Sequence, residues 1–154
     1  MEALLIIAPD DLMSIGLELV GFNAYRQRNV KRATNLKRFK SFYGSAPIVY
    51  ANIWADLLTS DIEEARLSRS DACIENFLLA VHFLKVYPTD DRLAGQFKMC
   101  IKTARKWAWF YLRKVQMLKV KKVSHQTGEN FSFLYKERAI NFSIHTCLNC
   151  FTLL

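Results

Sequence analysis

The chain has 154 residues, of which 51% are hydrophobic, 13% are aromatic and 23% are charged, and its formal net charge is +8. This length suffices for one domain with a real core but not for two large ones, and the aromatic content argues against a disordered chain. No apolar run reaches the roughly 18 residues that span a membrane, and two acids follow the short apolar start, so we expect no signal peptide and no membrane partner.

The first 44 residues predict helices with a basic second part. Asp10 or Asp11 is a candidate N-cap for a first helix that ends near Gly21. A basic helical segment follows and ends at Gly44, because glycine is favoured just after the last helical turn.

The middle of the chain predicts two apolar helices that are separated by a polar, acidic connector. Ser45 resembles the N-cap of the first of these helices, with Pro47 in its first turn. Asp71 is a candidate cap for the second, which ends before Pro88 because proline cannot continue a helix.

The next segment predicts a short helix, a turn and a long helix. Thr89 or Asp90 caps the short helix, residues 98–100 form the turn, and the long helix extends from about Ile101 to Val120. Residues 124–154 show no clear period.

Helical periods dominate, and no alternating strand pattern competes with them before the tail. The sequence therefore predicts an all-α fold, a small helical bundle that contains a helix-turn-helix. We expect N-terminal helices over 1–44, a helical module over 45–123, and a poorly defined C-terminal tail over 124–154.

Positive charge is concentrated in two blocks that contain no acid. Residues 26–40 hold seven Lys or Arg, and residues 92–122 hold ten, whereas residues 56–91 hold eight acids and three bases. Such blocks favour a polyanionic partner, most often a nucleic acid. Solvated helix faces, or an anionic membrane surface for the first block, are the alternatives.

Residues 89–110 fit a helix-turn-helix, in which a short helix and a tight turn are followed by a second helix that enters the major groove of DNA. Ala94 is the small residue needed where the two helices cross. Lys98 occupies the first turn position, where glycine is common. The apolar residues expected to fill the wedge between the helices are Leu93, Phe97, Met99, Ala104 and Trp107.

A helical wheel separates the second helix into an apolar side and a basic side. The apolar side holds Ala104, Trp107, Ala108, Tyr111, Val115 and Leu118. The candidate DNA-contacting residues are Lys102, Thr103, Arg105, Lys106, Trp109 and Arg113, with Lys31 and Arg32 from the first basic block. Lys and Arg suit phosphates, and Arg can donate two hydrogen bonds to guanine. The alternative for Trp109 is burial under another helix, such as the N-terminal one.

The stretch FLLAVHFLKVYPTDDRLAGQFKMCIKTARKWAWFYLRKVQMLK resembles the helical region ahead of the catalytic domain in Harbinger-type transposases, particularly transposon-derived proteins of algae such as diatoms. Upstream, Phe39, Tyr43, Gly44 and Trp54 match a pattern in which F-x-x-x-F/Y-G leads to a helix with a Trp near its end. The resemblance covers roughly residues 36–123.

This resemblance implies binding of double-stranded transposon-end DNA, with an intact transposase or a second copy as further partners. In that family a later RNase H-like domain with three metal-binding carboxylates performs the chemistry. We therefore expect a DNA-binding remnant with no catalytic residues, no metal and no cofactor, located in the nucleus of a eukaryotic cell and otherwise intracellular. A helical protein–protein interaction module, a fragment that retains or borrows nuclease activity, and a non-functional transposon relic remain the alternatives.

Other chemical motifs are weak. His145, Cys147 and Cys150 form H-x-C-x-x-C, but structural zinc usually needs four ligands. The connector acids Asp61, Glu63 and Glu64 have the pattern of a solvated loop. His82 lies within a predicted apolar helix, and we expect it to be a packed or partly exposed core residue and not a ligand.

Overall fold

The structure, a computed structural model, describes residues 6–124, with side chains through residue 118. Within that range the chain forms seven helices and no strand, which confirms the predicted all-α class. The helices are α1 (Pro9–Leu19), α2 (Ala24–Arg28), α3 (Arg32–Tyr43), α4 (Pro47–Thr59), α5 (Ile74–Val86), α6 (Asp90–Gln96) and α7 (Ile101–Ser124). The predicted tail beyond residue 124, with its zinc motif, lies outside the described residues.

The helices within the first 44 residues pack against one another and against helices that follow them in the chain. α1 packs against α3 and α4, and α3 packs against α4 and α5. The described residues through Lys119 form one compact unit. The division into 1–44, 45–123 and 124–154 stays a prediction.

Two helices begin at a proline and not after the predicted caps. Asp10 and Asp11 lie inside the first turn of α1, which begins at Pro9, and Ser45 lies two residues before Pro47, where α4 begins. Proline sets the helical φ and lacks the N–H that would need a capping partner, so the preceding alanines suffice without side-chain hydrogen bonds. The two acids still stabilise α1 through the helix dipole.

The start of α5 also differs from the prediction. Asp71 is not the N-cap, because α5 begins at Ile74 and Cys73 is the capping residue. The Tyr111 hydroxyl of α7 accepts a hydrogen bond from the Cys73 N–H at 2.9 Å and donates one to the Asp71 carbonyl oxygen. These long-range bonds hold the backbone over 71–73 in a non-helical conformation.

The basic segment before Gly44 forms two helices. Asn23 caps α2 by accepting a hydrogen bond from the Arg26 N–H at 3.0 Å. The chain then leaves the helical conformation over residues 29–31 and re-enters it at Arg32. Gly44, with φ of 93°, ends α3 as predicted.

A row of buried aromatic rings joins α3, α4, α5 and α7. Phe39 and Tyr43 stack with centroids 4.5 Å apart, and Phe39 also contacts Tyr50 at 6.2 Å. Tyr50 contacts Phe77 at 6.4 Å, and Phe77 contacts Tyr111 at 5.9 Å. Rings at these distances attract one another beyond the effect of area burial, by about 0.5–1.5 kcal/mol a pair.

The crossing of α1 and α3 leaves no room for a side chain at Gly16. A Cβ atom there would lie 2.6 Å from Cε2 of Phe39 and 3.1 Å from Cε2 of Tyr43. The Tyr43 hydroxyl donates a hydrogen bond to the Gly16 carbonyl oxygen at 2.8 Å. Burial raises the pKa of Tyr43 far above its ordinary value, so this donor keeps its proton.

We expect Gly16→Ala to destabilise the protein by about 1–2 kcal/mol, because overpacking against Phe39 outweighs the gain in helix propensity. Gly95 in α6 is the matched control, since a Cβ atom there meets nothing within 4 Å. Gly95→Ala should stabilise by roughly 0.5–1 kcal/mol. Urea denaturation of both variants measures the difference, and changes of the same sign would contradict the close helix crossing.

His82 of α5 is buried among aromatic rings, as the sequence predicted for a core residue. Its Nδ1 lies 3.0 Å from the Phe42 carbonyl oxygen, and its ring lies close to Tyr43 and Phe97. Burial lowers the pKa of His82 below its ordinary value of 6.5, although hydrogen bonds to Phe42 and Gln96 act in the opposite direction.

Because the folded state binds the His82 proton less readily than the unfolded state, stability should be fully present above about pH 6.5 and decline as the pH falls below it. We expect the free energy of unfolding to lose at most about 1.4 kcal/mol per pH unit from this residue. Denaturation between pH 5 and 8 should show a weaker pH dependence in His82→Gln. An identical pH dependence in both chains would exclude His82 as the cause.

Candidate nucleic-acid interface

A tight turn with a left-handed residue connects α6 to α7. Lys98 adopts φ of 52°, its N–H bonds to the Gly95 carbonyl oxygen at 3.4 Å, and the Met99 N–H bonds to the Ala94 carbonyl oxygen at 3.0 Å. These two bonds form a Schellman motif, which ends a helix by satisfying its last carbonyl groups. The predicted turn over 98–100 is therefore present, with Lys98 in the conformation that favours glycine.

The end of α1 contains the same motif with glycine in that position. Gly21 has φ of 95°, and its N–H bonds to the Glu18 carbonyl oxygen at 3.0 Å, while the Phe22 N–H bonds to the Leu17 carbonyl oxygen at 2.9 Å. A Cβ atom at Gly21 would meet nothing within 4 Å. The left-handed residue has a side chain in the α6–α7 turn, at Lys98, but not in the turn after α1, at Gly21. The steric cost of that conformation therefore arises at Lys98.

We expect Lys98→Gly to stabilise the protein by up to about 1 kcal/mol, because glycine removes the steric cost of the left-handed conformation. Lys98→Ala should give no such gain, because its Cβ atom remains. The reciprocal change, Gly21→Ala, should destabilise by about 1 kcal/mol. Thermal or urea denaturation measures all three, and equal stabilities for Lys98→Gly and Lys98→Ala would contradict this account.

A small apolar cluster packs α6 against α7. Ala94 is buried, as predicted for the helix crossing, and it lies in one cluster with the predicted wedge residues Leu93, Phe97 and Ala104, against which Met99 also packs. One wedge residue was assigned wrongly. Trp107 packs against the larger core cluster, because its position on α7 turns it toward the Tyr111 ring, with centroids 6.1 Å apart.

Tyr111 fixes which side of α7 faces outward. Its ring is fully buried against Trp54 and Phe77, and its hydroxyl bonds to the backbone of Asp71 and Cys73. Burial raises the pKa of Tyr111 well above its ordinary value, so the hydroxyl stays protonated. The predicted apolar side of α7 is therefore buried or half-buried, and the predicted basic side faces solvent.

Five cationic side chains of α7 line one open groove with a volume of about 570 Å³. Four of them are exposed and were predicted from the helical wheel, namely Lys102, Arg105, Lys106 and Arg113. The fifth, Lys114, is half-buried and was not predicted. Among the described residues that line the groove, Glu64 of the connector is the one carboxylate. We call this surface the basic groove.

The floor of the basic groove is apolar. Trp109, Phe110 and Met117 contribute to its lining. Trp109 was predicted to face the cations or to lie under another helix such as the N-terminal one. It does face them, and the helix that it contacts is α5, because its ring meets the Phe83 ring edge-on with centroids 6.0 Å apart.

Three of the described cations of the basic groove have partners in the protein, and one of them, Lys106, lies over the Trp107 ring at 5.2 Å. Arg105 forms an ion pair with Asp90 at the start of α6. Lys114 donates a hydrogen bond to the Arg66 carbonyl oxygen at 3.0 Å and lies over the Phe110 ring. The Asp90 contact spans the predicted turn, so it ties the two helices together at the edge of the groove.

Three predicted residues do not line the basic groove. The Thr103 hydroxyl lies 2.9 Å from Cys100 Sγ, and its hydrogen bonds lower the pKa of that thiol. Lys31 and Arg32 lie at the start of α3, where Arg32 binds the Asp10 carboxylate at 2.6 Å.

Two charged groove residues, Lys114 and Glu64, were not predicted from the sequence, and neither were the apolar Phe110 and Met117. Lys114 lies about 120° from Lys102 on the wheel, at the margin of the basic side, and it reaches the groove because its side chain is long. Glu64 comes from the connector, about 40 positions earlier in the chain, and no local pattern places it beside α7.

The described residues give no sign of a metal site or a membrane span. Within residues 6–124, no three His, Cys, Asp or Glu side chains converge as a metal ion would require. The connector acids Asp61, Glu63 and Glu64 are exposed, as predicted. None of the described helices combines the length and apolar character needed to cross a bilayer.

Comparison of the chain with protein-family models, curated proteins and solved structures found no match. The resemblance to Harbinger-type transposases therefore stays a prediction from the sequence.

Proposed function

We propose that this protein binds double-stranded DNA through the basic groove of α7 and acts by binding, without catalysis. The observation that carries the proposal is the convergence of five cationic side chains on one outward side of a helix whose other side is buried. A single carboxylate among the described lining residues leaves the groove strongly positive, and such a surface attracts the phosphate backbone.

The α6–turn–α7 unit gives this charge a suitable support. Residues of the first two turns of a recognition helix contact base edges or phosphates in helix-turn-helix proteins. Lys102, Arg105 and Lys106 occupy those turns of α7, and Arg113 follows on the same side. In this proposal the lysines bind phosphates and release counterions, and Arg105 exchanges the Asp90 carboxylate for a phosphate or a guanine edge.

The sequence resemblance adds narrower expectations to the proposal. It suggests transposon-end DNA as the target, an intact Harbinger-type transposase or a second copy as a further partner, and the nucleus as the location in a eukaryotic cell. The support for these expectations is the similarity over roughly residues 36–123.

We expect the triple variant Lys102→Ala, Arg105→Ala, Lys106→Ala to bind DNA at least tenfold more weakly than the native chain. The reason is the loss of up to three phosphate contacts, which should also reduce the slope of log affinity against log salt by about 1 per contact. Fluorescence anisotropy with a 20-base-pair random-sequence duplex, across a salt series, measures both quantities.

Two controls make this experiment specific. Arg28→Ala, Lys37→Ala, Lys40→Ala removes the same charge from exposed positions of α2 and α3, and it should change the affinity little. Asp90→Asn should tighten binding, because it releases Arg105 from its ion pair. Equal losses in both triple variants would refute a role for the groove. No duplex binding by the native chain, together with a defined oligomer, would favour the protein–protein interaction module.

A further inference from the structure

Three aromatic side chains form a surface row that ends in the basic groove. The Tyr87 and Phe83 rings have centroids 6.0 Å apart, and the Phe83 and Trp109 rings are also 6.0 Å apart. Tyr87 is 47% exposed, and the other two are half-buried. The row therefore starts at the C-terminal end of α5 and reaches the side of α7 that carries the cations.

The position of Tyr87 at the exposed end of the row is held by its backbone. Tyr87 caps α5 with φ of 48°, and its N–H bonds to the Phe83 carbonyl oxygen at 3.0 Å. The tyrosine ring is thus presented to solvent from a fixed point and not from a long mobile loop.

Exposed rings beside cations have a specific use in nucleic-acid binding. Proteins that bind single strands combine a positively charged groove with aromatic side chains on which unpaired bases stack. Bases within a duplex are already stacked on their neighbours, so a duplex alone would leave the faces of this row unused. Charge complementarity with the basic groove favours a nucleic acid over an apolar peptide as the occupant.

We propose that the row Tyr87, Phe83, Trp109 is a stacking site for unpaired bases, so that the protein prefers DNA in which a duplex is continued by a single strand. The inference rests on the proposed function in one respect, because the phosphates use the same cations of the basic groove. The duplex lies along α7, and the unpaired bases extend toward the end of α5.

The experiment compares a blunt duplex, the same duplex with a ten-nucleotide thymidine tail, and the tail alone, by fluorescence anisotropy at one salt concentration. We expect the native chain to bind the tailed duplex at least about fivefold more tightly than the blunt one, the lower limit for one stacked base. Tyr87→Asn, which suits a positive φ, should remove most of this preference and leave blunt-duplex affinity unchanged. Tyr87→Phe keeps the ring and should keep the preference.

A second measurement tests the other end of the row. The tail alone should quench the tryptophan fluorescence of the native chain, and Trp109→Phe should abolish the quenching while keeping the preference for the tail. Equal affinities of the native chain for blunt and tailed duplexes, or equal preferences in Tyr87→Asn and Tyr87→Phe, would overturn the inference. Tail binding without duplex binding would support the row and refute the duplex proposal, and no binding to any of the three DNAs would refute both.

Discussion

The burial of Tyr111 is the interaction on which the rest of the candidate interface depends. Its ring completes the aromatic row of the core, and its hydroxyl binds backbone groups at the start of α5. A tyrosine held at both its ring and its hydroxyl defines the rotation of the helix that carries it. The cations of α7 therefore face outward because the opposite side of the helix is fixed. The Tyr111 hydroxyl also holds the backbone of Asp71 and Cys73, just before α5.

In α7 the residues that would bind DNA differ from the residues that hold the helix in place. The cations that would bind phosphates contribute little to the core, whereas the aromatic residues that surround them in sequence hold α7 in place. Trp109 is the exception, because it lies both in the groove and against Phe83 of α5. It connects the charged surface with the row of Tyr87, Phe83 and Trp109, so one residue belongs to both proposed sites.

Helix order, the ends of helices at Gly44 and before Pro88, and the basic side of α7 could all be predicted, because each depends on local residue types or on helical period. The starts of α6 at Asp90 and α7 at Ile101 also agree with the prediction, but the starts of α1, α4 and α5 do not. Ser45 and Asp71 have capping side chains, but α4 begins at Pro47. The Tyr111 hydroxyl of α7 holds the backbone just before α5 in a non-helical conformation. The pairing of Arg32 with Asp10 joins residues 22 positions apart and has no local signature. The wheel angle likewise missed Lys114, since it ignores side-chain length.

The close contact at Gly16 limits how the chain can be shortened. α1 fills the space over Phe39 and supplies the acceptor for the Tyr43 hydroxyl. A fragment that begins after α1 would expose that ring to water and leave a buried hydroxyl to find another acceptor, and both effects oppose folding. We therefore expect the helix-turn-helix alone to be unstable, and the smallest stable fragment that contains it should include α1.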